Sequence, residues 1–346
     1  MAIPHLTEFK VFTTPHGARI YSMPVEAFPR FWAYVYLVVH EDWRVLIDCG
    51  SGNERSNASL EAGLAQAGIS PKDLTHILIT HGHIDHFGGL TYVRERTKAS
   101  VGVHELDLQT ISAHEIRATL MSRRLDNFLI QAGLAEEVRQ NLLQMYMFTK
   151  SLYHSVPVDF TYQDVGMRMG PFEMLHVPGH CPGHVAIRFD DVVFSGDLLL
   201  EGVTPHQSPE EITPYMGLAH YLESIDVFQH WTQGSTLILG GHGAPMAETG
   251  QRVATLRKHL SERLVQVLDA FAAPHTIAEV AAAIYGELDG YNALLVIEKV
   301  GAYVEYLAQR GWLKIESLNG PVIRYQRVRQ VSIPDILPKE RAYVFV

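Results

Sequence analysis

Thr80-His81-Gly82-His83-Ile84-Asp85-His86-Phe87-Gly88-Gly89 concentrates more chemistry than any other stretch of the chain: four of the six residues from His81 to His86 can bind a metal ion. Just before it, Leu74-Thr75-His76-Ile77-Leu78-Ile79-Thr80 is short, largely apolar and bounded by polar residues, the pattern of a buried strand. Gly88-Gly89 then opens a stretch suited to a helix. The candidate ligands therefore fall on a loop after a strand, where α/β folds place their chemistry. Residues two apart in an extended loop point the same way, so His81 and His83 can grip one ion. Asp85 and His86, on the turn into the helix, can face a neighbouring position. Imidazole and carboxylate suit zinc, iron or manganese, with no soft ligand forcing the choice. Taken alone, the cluster does not set the number of ions.

The chain has 346 residues, 47% hydrophobic and 19% charged, enough to bury a substantial core. A net charge of −10 argues against nucleic acid as the main partner, because phosphate binding relies on dense Lys and Arg. No uninterrupted apolar run approaches the roughly 20 residues of a bilayer span. Met1-Ala2-Ile3-Pro4-His5 has neither the basic start nor the apolar run of a signal peptide. Two cysteines, Cys49 and Cys181, make no disulfide framework, so the expected setting is a reducing cytoplasm. No membrane role is expected.

Strand signals fill the region from Phe9 to Gly50. Phe31 to Val39 is aromatic and β-branched, Trp43 to Asp48 follows a polar turn, and Asp48-Cys49-Gly50 closes that strand with a carboxylate. Asn57 to Gly68 reads as a helix. From Glu105 to about Tyr153 apolar residues recur at helical spacing, which predicts two or three helices inserted at about 105–155. There Leu142-Leu143-Gln144-Met145-Tyr146-Met147-Phe148 either packs on the domain beneath or lids an apolar substrate through Met145 and Phe148. Strand signals return from Val158 to Leu239, broken by a helix from Tyr215 to Trp231. Strands followed by a helix, given twice, predict two sheets in a sandwich with helices outside.

After about Gly250 the character changes. Arg252–Ala273, Thr276–Tyr285 and Asn292–Gln309 read as helices, with Thr276 as an N-cap. Two short strands then flank Asn319-Gly320, a strong hairpin signal. Three helices and a hairpin predict a winged-helix-like module at 251–346, beside a catalytic domain at 1–250. The module carries 12 Lys and Arg against 10 Asp and Glu, weak for phosphate binding, so packing or homodimer formation is expected of it.

Three later features add ligand candidates. Pro178-Gly179-His180-Cys181-Pro182-Gly183-His184 sets histidines in a bent loop after a strand. Ser195-Gly196-Asp197 and Gly240-Gly241-His242-Gly243 each end a strand with a ligand beside glycine. Singly these are weak, since an Asp at a strand end is commonly a turn residue. Their shared position gives them weight. His81-x-His83-x-Asp85-His86, His180, Asp197 and His242, with Asp48 upstream, resemble the motifs of the metallo-β-lactamase-fold hydrolase superfamily, in order, over roughly Tyr34 to Gly243. The resemblance implies an α/β fold, an αββα sandwich with the helical insertion and the C-terminal module added. It implies one metal on His81, His83 and His180, a second on Asp85, His86 and His242, and Asp197 bridging. Asp48 would support the site without ligating. The Pro178–His184 loop looks most like the glyoxalase II branch, in which the first His is the ligand, leaving His184 a supporting role. A C-terminal winged-helix extension is also found on some glyoxalase II-like proteins.

Several branches are disfavoured. The flavodiiron branch carries Glu where His83 stands, persulfide dioxygenases use a single iron, and lactamases proper often lack the bridge at Asp197. The β-CASP nucleases carry a large inserted domain that is not evident here. The expected cofactor is then two divalent ions, zinc first, with iron or manganese as alternatives. Two cations would lower the pKa of a shared water from about 15.7 toward 7, giving a bridging hydroxide that attacks a small ester, thioester or lactone. Asp85 would act catalytically, orienting the nucleophile or shuttling its proton. His206 and Tyr215, in the loop after Asp197, are further candidates for contact with this small-molecule substrate. Hydrolysis of RNA or another phosphodiester is the alternative, as is a ligand-binding sensor that keeps the metal site. Cys49 and Cys181 are expected to be small buried residues, because the ligand set is full without them.

Overall fold

A computed structural model describes residues 8–287 and 289–339, apart from the side chains of residues 318 and 319. The chain begins with β1 (Lys10–Thr13), β2 (Arg19–Phe28), β3 (Phe31–His40) and β4 (Trp43–Ile47). It continues through α1 (Glu54–Gln66), β5 (His76–Leu78), α2 (Ile84–Phe87), α3 (Leu90–Arg94), β6 (Ser100–Val103) and α4 (Glu105–Ser112). Two long helices, α5 (His114–Gln131) and α6 (Glu136–Ser151), lead to β7 (Phe160–Thr161). Next come β8 (Arg168–Met169), β9 (Phe172–His176), β10 (Val185–Phe189), β11 (Val192–Gly196), α7 (Leu218–Trp231) and β12 (Leu237–Gly240). The chain closes with α8 (Gly250–Ala270), α9 (Ile277–Tyr285), α10 (Gly290–Gln309) and the hairpin β13 (Leu313–Asn319) and β14 (Val322–Arg327).

Two compact units result, Met1–His114, Tyr153–Pro205 and Val227–Gly250 forming the first, and Glu115–Leu152, His206–Asp226 and Gln251–Val346 the second. In the first, β1 to β7 make one sheet in chain order and β12-β11-β10-β9-β8 make another. Strands β1 to β4 are antiparallel, whereas β4 to β7 run parallel through helical crossovers. The long apolar run of β3 has a physical reason: both of its faces are buried. Ala33, Val35 and Leu37 pack with Leu60, Leu64, Phe87 and Leu90 from the helices, while Tyr34, Tyr36 and Val38 pack with Phe172, Ile187 and Phe194 of the second sheet. The mixed α/β sandwich expected from the sequence is present.

The second unit differs from the sequence-based division at residue 250. Helices α5 and α6 and the loop from His206 cluster with α8 to β14 rather than with the sheets. Amphipathic periodicity shows that a helix has an apolar face but not which element covers it. Here Phe128 lies against Gly301 of α10, where a Cβ would come within 2.5 Å of the ring, and Leu142 and Leu143 of α6 are buried. The hairpin also departs from its expected turn. Asn319 pairs with Val322, so Gly320 and Pro321 form the loop, with Gly320 at φ 66. Glycine takes the first central position because it alone adopts that φ without strain, and proline suits the second because it has no N–H to pair.

Thr276 caps α9 as expected. Its hydroxyl accepts the Glu279 N–H at 3.1 Å, and the Glu279 carboxylate accepts the Thr276 N–H at 2.8 Å. Thr276→Ala removes one arm of this reciprocal cap and is expected to cost about 1 kcal/mol, read as a lowered midpoint of urea unfolding.

Candidate metal centre

The ends of five strands in the first unit bring the donors together. After β4, Asp48 takes φ 59, a left-handed conformation that Asp tolerates better than most residues. His81 and His83 lie on the loop between β5 and α2, with His83 at the N-cap and Asp85 and His86 on the first turn. His180 lies on the loop from β9 to β10, Asp197 directly follows β11, and His242 follows β12. All seven proposed ligands converge. His81, His83 and His180 form one group and Asp85, His86 and His242 another, while His81, His86 and Asp197 form a third that joins them. Within each group the donor atoms lie within 4.8 Å of one another.

The spacings are those of ligands around a small cation. His242 Nε2 is 3.2 Å from Asp85 Oδ2 and 3.3 Å from Asp197 Oδ2. His180 Nε2 is 3.6 Å from Asp197 Oδ2, and His86 Nε2 is 3.6 Å from Asp197 Oδ1. Two ligands at about 2.1 Å from a tetrahedral ion stand about 3.4 Å apart. His81 Nε2, His86 Nε2 and Asp197 Oδ1 are, moreover, buried without a hydrogen bond. Such atoms are costly unless a cation satisfies them. The donor set therefore fits a divalent metal ion.

Neighbours fix which imidazole nitrogen is bare. Asp48 Oδ1 accepts the Thr80 N–H, and Asp48 Oδ2 accepts the Thr80 hydroxyl and His86 Nδ1–H, all at 2.8 Å. With its proton committed to Asp48, the Thr80 hydroxyl accepts from His81 Nδ1–H at 3.0 Å. The Trp32 carbonyl accepts His242 Nδ1–H at 2.6 Å. In all three histidines Nε2 is left to face the cluster. His184 lies outside the three donor groups; its Nε2 accepts the Asp197 N–H at 2.9 Å and so holds that carboxylate's backbone.

Burial, reinforced by the imidazoles of His86, His83 and His184, holds His81 well below the usual histidine range. Burial also disfavours charge on His86 and His242, but the nearby carboxylates outweigh it. Asp197, Asp85 and Asp48 push His86 well up, and Asp197 and Asp85 push His242 up to about 10. Conversely, burial would raise Asp85 and Asp197, yet His86 and His242 hold both well below the usual carboxylate range. A cation held by this group would compete with protons for His86 and His242. His83 and Asp85 are half-buried while the other five ligands are buried, so the centre faces solvent on their side.

Sequence reasoning missed several supports. Asp107 of α4, 1% exposed, accepts the N–H of Gly82 at 2.8 Å and of Gly183 at 3.0 Å. His104, the N-cap of α4, stacks on His176 with ring centroids 4.0 Å apart, and His176 Nε2–H donates to the Pro182 carbonyl at 2.8 Å. No residue pattern announces such partners, and the Trp32 carbonyl is invisible to any side-chain motif. Both cysteines are buried, as expected. Cys49 lies 3.2 Å from the His86 carbonyl and Cys181 lies beside Asp107, and burial, with the charges of Asp48 and Asp107 respectively, raises both thiols well above their ordinary value.

The four substrate-contact candidates, Met145, Phe148, His206 and Tyr215, all fall in the second unit. His206 Nε2 is 2.9 Å from Glu298. Tyr215 precedes α7 at φ 67 with its ring 5.9 Å from that of His220. Met145 is half-buried and Phe148 is 66% exposed. Among the described residues no single helix is long and apolar enough to cross a membrane.

Residues 33–242 match the family model of the metallo-beta-lactamase superfamily. A probable metallo-hydrolase of Bacillus subtilis, YqgX, is 26% identical over 174 residues, covering 49% of this chain and 67% of its own. A hydroxyacylglutathione hydrolase of Shewanella sp. is 28% identical over 126 residues, 36% of this chain and 35% of that protein. Among solved structures, a metallo-beta-lactamase family protein of Thermus thermophilus superposes with a TM-score of 0.71 at 25% identity, covering 89% of this chain and 98% of the other. A beta-lactamase domain protein of Burkholderia ambifaria gives a TM-score of 0.73 at 23% identity over 94% and 98%, a likeness of fold.

Asp48→Asn keeps the left-handed backbone but presents an amide N–H₂ to groups that are themselves donors. Metal affinity, measured by competition with a chelator, is expected to fall about 10- to 100-fold. A second expectation concerns acid stability. Burial, then the neighbouring His176, lowers His104 to about 3 in the folded chain, against 6.5 ordinarily. Below 6.5 the unfolded chain takes up a proton that the folded chain refuses, so stability is lost as pH falls through that window. His104→Asn retains an N-cap acceptor without titrating, and its Tm is expected to fall less steeply than the parent's from pH 6.5 toward about 3.

Proposed function

The chain belongs to the metallo-beta-lactamase superfamily and is a metal-dependent hydrolase, and we propose that it hydrolyses a small ester, thioester or lactone with two divalent cations. One observation carries this reading: two three-donor groups that share no residue, His81-His83-His180 and Asp85-His86-His242, flank a single carboxylate, Asp197. We take zinc as the resident ion; iron and manganese suit the same donors.

Bound there, divalent cations supply Lewis acidity, lowering the pKa of water toward about 7 and polarising a substrate oxygen. The chain's own residues do the rest. Asp85 stands on the solvent-facing side of the centre and can take and return a proton. Asp48, Thr80 and the Trp32 carbonyl keep His86, His81 and His242 in one tautomer through the cycle. Beside His242 lies Phe31, with ring centroids 4.7 Å apart, and Phe28 is 6.0 Å further on. These aromatics, 37% and 40% exposed, give the rim an apolar wall suited to an acyl group rather than a charged phosphodiester backbone. The partial likeness to a hydroxyacylglutathione hydrolase supports the same choice.

A panel of thioesters, lactones and bis-p-nitrophenyl phosphate, run with and without chelator, tests the proposal. Turnover of carbonyl substrates is expected, abolished by chelator and restored by zinc. Asp85→Asn is expected to lower kcat by about 10²- to 10⁴-fold. Turnover of the phosphodiester alone, or metal binding without any turnover, overturns the substrate assignment. Less than one ion per active chain overturns the dinuclear one.

A further inference from the structure

Asp107 is a buried carboxylate that belongs to no metal motif yet touches two of the ligand-bearing loops. It is the third residue of α4, and its two oxygens divide between loops far apart in sequence. Oδ2 accepts the N–H of Gly82, which lies between His81 and His83, at 2.8 Å. Oδ1 accepts the N–H of Gly183, three residues after His180, at 3.0 Å. The Cys181 thiol lies 3.5 Å from Oδ1 and 3.4 Å from Oδ2 and donates to them. Three donors from two loops thus converge on one anion, and such charge-assisted bonds are the stronger kind.

The glycines explain how the carboxylate comes so close. A Cβ on Gly183 would lie 2.6 Å from Asp107 Cγ and 2.8 Å from its backbone nitrogen, and one on Gly82 would lie 3.2 Å from Cγ. Glycine at 183 is a condition for the tie, and glycine at 82 keeps the approach from being tight. The loops so tied carry the three imidazoles of the first donor group, His81, His83 and His180. A further bond joins the same two loops, the Val185 N–H reaching the Thr80 carbonyl at 2.9 Å.

We propose that Asp107 is a positioning residue that sets the gap between the two loops and thereby the metal affinity of the His81-His83-His180 group. By accepting the Cys181 S–H it also keeps that thiol, next to His180, directed away from the ion. The inference rests on the reading that this group holds a cation. In Asp107→Asn one oxygen is replaced by an N–H₂ that faces a donor, so at least one loop is released. Gly183→Ala forces the loop and Asp107 apart by contact, the Asp107 backbone nitrogen included, and leaves the carboxylate's charge in place.

Apo full-length chain, wild type and each variant, is titrated with zinc against a chromophoric chelator, and the cobalt(II) absorption spectrum and apo Tm are recorded in parallel. The expected result is a roughly 10- to 100-fold weaker zinc affinity in both variants, with an altered cobalt band and an apo fold that melts cooperatively. Zinc affinity within about twofold of wild type in either folded variant, well short of that loss, overturns the proposal. So does loss of the apo fold in both, which would make Asp107 a structural tie. A wild-type chain that binds no zinc instead overturns the metal reading itself.

Discussion

A lone pair must stay bare on each donor nitrogen, and the carboxylate of Asp48 does most to meet that constraint. It takes a backbone N–H, a hydroxyl and an imidazole N–H at once. Through Thr80 its influence passes to His81, and directly it fixes His86. One residue from each three-donor group is thereby oriented by a single buried anion. Its left-handed backbone is part of this arrangement, turning the side chain back across the end of β5. The parallel strands β4, β5 and β6 carry their following loops to one sheet edge, so Asp48 and the His81–His86 stretch meet there without long connections.

Much of this was legible in the sequence because it is written in side-chain identity and strand pattern. His81-x-His83-x-Asp85-His86 is dense enough to stand alone, and His180, Asp197 and His242 gain weight from lying beside glycines at strand ends. The two-faced burial of β3 likewise shows as an unbroken apolar run. What was illegible belongs to other physical categories. Asp107 is one acid on an ordinary amphipathic helix, and its partners are backbone N–H groups. The His104–His176 stack joins residues whose neighbourhoods say nothing of each other.

The second unit illustrates the same limit at larger scale. Helical periodicity located α5 and α6 well, yet it could not say that their apolar faces belong with α8 to α10. Met145, Phe148, His206 and Tyr215 are apolar, titratable or close in sequence to Asp197. His206 meets Glu298 in a direct 2.9 Å contact, a pairing across 92 residues of sequence.

The bond from His242 to the Trp32 carbonyl joins residues 210 apart, and the Tyr34 N–H meets the Gly241 carbonyl beside it. Such closures come late, because the entropy of a long loop must be overcome before its contacts repay it. On the ribosome, a chain that has not yet released β12 holds the His81-x-His83-x-Asp85-His86 stretch without the last of its histidine partners, His242. An ion held by the complete proposed set would therefore be captured only after synthesis has passed residue 242. Such an ion would stabilise the fold by mass action, since it would bind the native chain and not the unfolded one.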